Sequence, residues 1–140
     1  MGYEGIDFEV MQAFSRAAKN YDHYSVLQQW VAKQMQQRFL ELKQKPQNVL
    51  DLGAGTGWLT EALHASFPKA EVTALDFSYP MIEIAKRKNK KAKYCVADGL
   101  CLPIKDHSID WVVSNLMMQW VESIDDLLLE IKRILKPSGV

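Results

Sequence analysis

Residues 49–58 read VLDLGAGTGW: an apolar run interrupted by one acid, Asp51, then Gly53, Gly55 and Gly57 spaced two apart. A short, nearly continuous apolar run closed by glycine is the pattern of a strand buried on both faces. Glycines directly behind such a strand permit positive φ and let a ligand approach the backbone without meeting a Cβ. Ala54, between the first two, belongs to the same candidate surface. The helix that should follow offers unsatisfied N–H groups to a negative group such as a carboxylate.

Working outward, the periodicity predicts a helix over Phe8–Tyr21 carrying Val10, Met11, Phe14, Ala17, Ala18 and Tyr21. A second begins at Ser25 as N-cap, with Leu27, Trp30, Val31, Met35, Phe39 and Leu42 on one side, and ends among lysines and Pro46. After the glycines come a helix over Leu59–Phe67, a strand over Glu71–Leu75, a helix over Tyr79–Lys90 and strands over Lys93–Ala97 and Ile109–Ser114. A last helix covers Ile124–Leu135 and is stopped by Pro137 and Gly139. Strands alternating with helices pair in parallel through right-handed crossovers, so the expected class is α/β, doubly wound, preceded by two helices. No internal repeat, low-complexity segment or long linker divides the chain.

The totals fit one globular domain with a real core: 140 residues, 48% hydrophobic, with 17 basic and 17 acidic side chains. Zero net charge argues against a nucleic-acid partner. No apolar run approaches the roughly 20 residues that span a bilayer, and no secretory signal is seen. The opening MGYEGI lacks the Ser or Thr of a myristoylation signal. The expectation is a cytoplasmic protein without membrane contact. Cys95 and Cys101 have no metal-ligand spacing and read as buried or half-buried free thiols. No metal site is expected. His23, His64 and His107 are isolated in the sequence.

The glycine spacing departs from the dinucleotide fingerprint G-x-G-x-x-G, which argues against a nicotinamide-dependent dehydrogenase. Asp51 would also oppose a pyrophosphate and favour a cation. A ligand with a positive centre, a carboxylate and a nucleoside is therefore expected, and S-adenosylmethionine has all three. Ligands of such sheets bind outside the carboxyl ends of the strands. There Asp76 would accept the ribose hydroxyls and Asp98, followed by Gly99, the adenine amino group. Phe77, Met81 and Leu100 would enclose the ring, and Asn115 and Leu116 would face the methyl group.

The segments VLDLGAGTG, LDFSYPMI, ADGLCLP, IDWVVSNLMMQW and LKPSG together resemble the class I S-adenosylmethionine-dependent methyltransferases, with their Rossmann-like sheet. FSRAAKNYDHYSVLQ and SNLMMQW are similar, more narrowly, to the malonyl-acyl carrier protein O-methyltransferases of biotin synthesis. The resemblance runs from about Phe14 to Gly139. It implies that Gly53, Gly55 and Gly57 carry the methionine moiety over Asp51, that Asp76 binds ribose and that Asp98 binds adenine. Tyr21 would reach the methionine end from a helical lid, residues 1–45, over a cofactor-binding half, residues 46–140. Arg16 is a candidate carboxylate partner, although an arginine on a helix ordinarily faces solvent.

The implied reaction is methyl transfer to the free carboxyl of malonyl on acyl carrier protein, leaving S-adenosylhomocysteine. A carboxylate of pKa about 4 is already ionised at neutral pH, so no catalytic base is expected. Another small acid or a quinone precursor as acceptor, and a non-catalytic S-adenosylmethionine-binding fragment, stand as alternatives. Gln119 and Trp120 would line the acceptor side or pack in the core. The basic run Lys86–Lys93 would either greet an acidic carrier protein or form a solvated helix end. The family fold continues past LKPSG, so the resemblance implies a sheet truncated before its fifth strand, with little or no turnover. Val112 and Val113 on an exposed fourth strand, and the face of the last helix, would then need another cover, such as a homodimer.

Overall fold

The computed structural model describes residues 9–10, 12–13, 16, 25–115 and 117–140. The apolar run at its centre is strand β1 (Asn48–Leu52), followed in the chain by β2 (Glu71–Asp76), β3 (Lys93–Val96) and β4 (Trp111–Ser114). All pair in parallel in the order β3-β2-β1-β4. Successive strands build away from β1 as far as β3, and the chain then returns to add β4 on β1's other side. The order therefore reverses between β1 and β4, and the crevice at their carboxyl ends is where such sheets take a ligand.

Helices α1 (Val26–Glu41), α2 (Trp58–Ser66), α3 (Tyr79–Lys88) and α4 (Ile124–Ile134) accompany the sheet. A single 3₁₀ turn, Met118–Trp120, follows β4. From Ser25 onward the expected elements are present with small shifts: most end or begin one or two residues short, whereas β2 runs on to Asp76 and α2 begins at Trp58. Ile109 makes only an isolated bridge to Leu135, and β4 begins at Trp111. Of the helix expected over Phe8–Tyr21, Glu9, Val10, Gln12, Ala13 and Arg16 are helical, and the others, Tyr21 among them, lie outside the described residues. No helix among the described residues is long and apolar enough to cross a membrane.

Two apolar layers fix the sheet. Because side chains alternate along a strand, Val49 and Asp51 face one side, and Leu50 and Leu52 the other. On the first side Val49, Val72, Trp111 and Val113 pack against Ala32 and Phe39 of α1 and Leu59 and Leu63 of α2. Phe67 meets Trp111 edge-on at 5.2 Å between ring centroids, and Phe39 lies 6.0 Å from Trp111. On the second side Leu50, Leu52 and Leu75 pack against Leu127 and Ile134 of α4.

The inward face of α1 differs from the sequence expectation. Ala32 and Phe39 are buried, whereas Leu27, Trp30 and Leu42 are exposed. Contact with the short α2 selects the narrow stripe through Ala32, Met35 and Phe39 rather than every apolar position. Ser25 stands at the N-cap, but its hydroxyl accepts from the Gln29 side chain at 3.4 Å and not from a backbone N–H.

The irregular crossover from β3 to β4 is pinned by one arginine. Arg133 of α4 donates to both carboxylate oxygens of Glu130 (2.8 Å each), to Asp106 Oδ1 (2.7 Å) and to the carbonyls of Leu102 (2.9 Å) and Ile104 (2.7 Å). Glu130 Oε2 also accepts from the Leu102 N–H at 2.8 Å. Just before β4, Asp110 accepts from the N–H groups of Gln47 (3.0 Å) and Asn48 (2.8 Å) and from Lys136 Nζ (2.8 Å).

On β4, Val113 is buried in the first layer and Val112 half-buried in the second. Val140 donates to the Asp110 carbonyl (3.0 Å) and its own carbonyl accepts from the Val112 N–H (2.8 Å). These two bonds pair the outer backbone edge at the start of β4 within the chain.

Because no lysine reproduces a planar fork bound to five acceptors, Arg133→Lys is expected to loosen the crossover. Limited trypsin digestion should then cut at Lys105 faster than in the parent chain, whereas Lys132→Ala should leave that rate unchanged.

Candidate functional site

At the end of β1 the chain makes a turn that only glycine adopts without strain. Gly53, Gly55 and Gly57 have φ of 75°, 55° and 90°. The Gly53 and Ala54 N–H groups both donate to the Leu75 carbonyl at the end of β2, at 2.8 and 3.0 Å. Gly57 is the left-handed N-cap of α2 and brings no capping side chain.

The three glycines are bare for different reasons. A Cβ on Gly53 would come within 2.4 Å of Met117 Cγ, and one on Gly57 within 3.0 Å of Ala85 Cβ on α3. One on Gly55 would meet nothing within 4 Å. Gly53 and Gly57 therefore make room for neighbours within the protein, and Gly55 alone faces open space. The packing against Met117 and Ala85 is not visible in the sequence pattern. Gly99 is likewise a packing glycine, its Cβ position lying 3.1 Å from Leu127 Cδ1.

Asp76, closing β2, holds the loop. Its Oδ2 accepts from the Gly55 N–H and its Oδ1 from the Ser78 N–H, both at 2.9 Å. Burial pushes this carboxyl above the ordinary carboxylate range, while the N–H donors of Ser78, Gly55 and Phe77 oppose the shift.

Asp51 is more deeply placed. It lies on the face of β1 that meets α2 and has no solvent exposure. Thr60 Oγ1 donates to its Oδ2 at 2.7 Å, and its Oδ1 is buried without a partner. Desolvation raises its pKa from 3.8 to about 7, opposed by the Thr60 hydroxyl and helped by the charge of Asp76. The acid under the glycines is thus a carboxyl poised between charge states rather than an ordinary carboxylate.

Around the crevice, Asp98 Oδ1 accepts from the Leu100 N–H at 2.9 Å, closing a tight turn after β3. Phe77 and Leu100 are half-buried and retain surface to offer. Met81 is 1% exposed, packed inward from α3. Asn115, just past β4, donates from Nδ2 to the Gln28 carbonyl of α1 at 3.2 Å. Its Oδ1 and the Ser114 hydroxyl are buried without hydrogen-bond partners. Leu116 and Tyr21 lie outside the described residues, and Arg16 is helical and exposed.

The structure thus gathers Asp51, Gly55, Asp76 and Asn115 at one end of the sheet. Two residues that sequence reasoning did not assign join them: Thr60, one helical turn past the glycines, and Met117, pressed against Gly53. Neither carries a motif signal. Gln119 and Trp120 are exposed on the 3₁₀ turn and are not core residues.

The basic run ends α3: Lys86, Arg87 and Lys88 directly follow Ala85, which packs against Gly57. Lys88 Nζ sits 4.1 Å from the Trp58 ring centroid, and Lys93 pairs with Glu71 at 2.8 Å. Of the histidines, His64 bonds Asn89 and His107 bonds the Leu135 carbonyl. Cys95 is half-buried, whereas Cys101 is exposed rather than buried; both are free thiols.

With this geometry in place, comparison with known proteins gives a consistent result. Residues 50–140 match the family described as Methyltransferase domain. The chain belongs to that methyltransferase family. It is 37% identical over 133 residues to malonyl-[acyl-carrier protein] O-methyltransferase of Halorhodospira halophila, covering 93% of this chain and 45% of the relative. The enzyme of the same name from Hahella chejuensis is 38% identical over 133 residues, with 94% and 47% covered. The chain therefore spans about half the length of the curated relatives it matches. Among solved structures, an S-adenosyl-L-methionine-dependent methyltransferase of Thermotoga maritima superposes with a TM-score of 0.71 at 25% identity, covering 90% of this chain and 56% of that one.

The two kinds of glycine can be told apart by stability. Gly55→Ala is expected to cost only about 1 kcal/mol, the strain of a left-handed alanine. Gly57→Ala adds a squeeze against Ala85 and should cost about 2–3 kcal/mol in urea denaturation.

Proposed function

We propose that the chain binds S-adenosylmethionine across the β1–β4 crevice and forms the cofactor-binding half of a cytoplasmic methyltransferase acting on malonyl-acyl carrier protein. The observation that carries this reading is Asp51, whose unpartnered, fully buried Oδ1 lies at the foot of a glycine loop open at Gly55. A buried acceptor of that kind calls for a donor, and a cationic donor satisfies both its lone pairs and its charge.

The residues fit the three parts of the ligand. Asp51, with the loop Gly53, Ala54, Gly55 and Gly57, would hold the amino-acid end. The two oxygens of Asp76 together take backbone N–H donors from Gly55, Ser78 and Phe77, and a carboxylate offers about four acceptor sites, which leaves room for a ribose hydroxyl. Asp98 would take the adenine amino group, with Gly99 shaping the turn and Phe77 and Leu100 beside the ring. Asn115 and Leu116 would flank the methyl end, and Tyr21 would reach it from the segment 1–45 acting as a lid. The bond from Asn115 to the Gln28 carbonyl supports that role, since it ties α1 to the end of β4.

When bound, S-adenosylmethionine supplies an electrophilic methyl group. The chain's part is to align donor and acceptor and to keep water from the acceptor carboxylate, which needs no base to ionise it. The malonyl-carrier acceptor is supported by the names of the relatives and by SNLMMQW after β4.

Calorimetric titration with S-adenosylhomocysteine tests the cofactor half. The chain should bind, and Asp76→Ala, which releases both the loop and the ribose site, should weaken binding by about a hundredfold. Transfer of labelled methyl to malonyl-carrier protein but not to acetyl-carrier protein tests the acceptor. Equal labelling of the two would overturn it.

A further inference from the structure

Thr60 lies outside the glycine-and-acid pattern. It sits in the first turn of α2, three residues past the Gly57 N-cap, and is completely buried. An apolar side chain of the same shape would fill that space at least as well, because a buried hydroxyl costs free energy unless it is hydrogen-bonded. Here its partner is the Asp51 carboxyl, at 2.7 Å. A carboxyl has acceptor room on both oxygens. Thr60 engages one of them, and the other is the orphan.

We infer that Thr60 is a positioning residue of the cofactor site: its hydroxyl fixes the Asp51 carboxyl so that Oδ1 is left for a ligand ammonium, and it stabilises the anionic form that such a cation requires. This rests on the proposed cofactor reading. The donor is well suited to the task, since a hydroxyl can donate to a carboxylate or, by rotating, accept from a carboxylic acid. It can therefore serve the empty and the occupied site alike.

The surroundings define what Thr60 works against. Desolvation and the charge of Asp76, from β2, favour the protonated form of Asp51, and the Thr60 hydroxyl opposes both. Glu61 follows Thr60 on α2. Tyr94, on β3, has a phenol pushed up to about 12 first by burial, then by Glu61 and Asp51. Lys88 of α3 sits over the Trp58 ring. From β4, Val113 and Ser114 stand beside Asp51 and Leu52, and neither titrates.

The sign of the effect follows. An ammonium binds best to ionised Asp51, so affinity should climb as pH rises towards about 7 and then level off. Removing the hydroxyl strips away an influence that lowers the Asp51 pKa, which displaces the climb to higher pH.

The test compares Thr60→Val, isosteric without the hydroxyl, with Thr60→Ser, which keeps it. Carboxyl ¹³C NMR follows Asp51 in the ligand-free chain, and calorimetry follows S-adenosylhomocysteine affinity from about pH 5.5 to 8.5, a range centred on its titration. In Thr60→Val the Asp51 midpoint should rise by about one unit, and affinity at pH 7 should fall about tenfold. Thr60→Ser should restore both. An Asp51 midpoint that Thr60→Val leaves unmoved overturns the assignment, as does an equal loss of affinity in both variants with an unshifted pH profile. Failure of the parent chain to bind at any pH would instead contradict the cofactor reading, so the two failures are distinguishable.

Discussion

The carboxyl of Asp51 is held at the end of the central strand, on the face that meets α2, with no access to water. Burial there strongly opposes ionisation, and the neighbouring Asp76 opposes it further. The fold answers with one hydroxyl, that of Thr60, and leaves the second oxygen unanswered. A core that packs Leu50 and Leu52 on one side of β1 and Val49 on the other could accommodate an apolar residue at position 51 with less cost. Placing an acid there makes sense for a site that receives a cation.

The second acid does a different job. Asp76 spends its hydrogen bonds on the Gly55 and Ser78 backbone, so β2 fixes the shape of a loop that starts from β1. Leu75 adds its carbonyl to the N–H groups of Gly53 and Ala54. The loop is therefore set before a ligand arrives, and Gly53 and Gly57 let Met117 and Ala85 close around it. Such prior ordering reduces the entropy lost on binding. On the far side of the sheet, Arg133 and Glu130 hold the crossover that delivers β4 to its place beside β1. The crevice thus depends on contacts well away from it.

Much of this was legible in the sequence because it rests on local signals. The strands, their alternation with helices and the place of the acids 51, 76 and 98 at or just past strand ends all follow from periodicity and punctuation. What was not legible depends on which surfaces meet. The sequence shows three equivalent glycines, and only packing against Met117 and Ala85 separates two of them from Gly55. The buried Met81, the displaced face of α1 and the bond between Thr60 and Asp51 are likewise tertiary outcomes. The charge state of Asp51 is the clearest case, since an aspartate in a sequence carries no sign of how far it will stand from water.

The central claim is that a cation-bearing ligand is taken up by a carboxyl that starts partly protonated and becomes ionised. It is tested most directly by titrating S-adenosylhomocysteine calorimetrically at pH 6.5 in buffers of different ionisation enthalpy, which counts the protons released. With an Asp51 pKa of about 7, binding should release about three-quarters of a proton, and almost none at pH 8.5 or in Asp51→Asn. Binding that releases no proton at pH 6.5, or that releases the same amount in Asp51→Asn, would contradict the account.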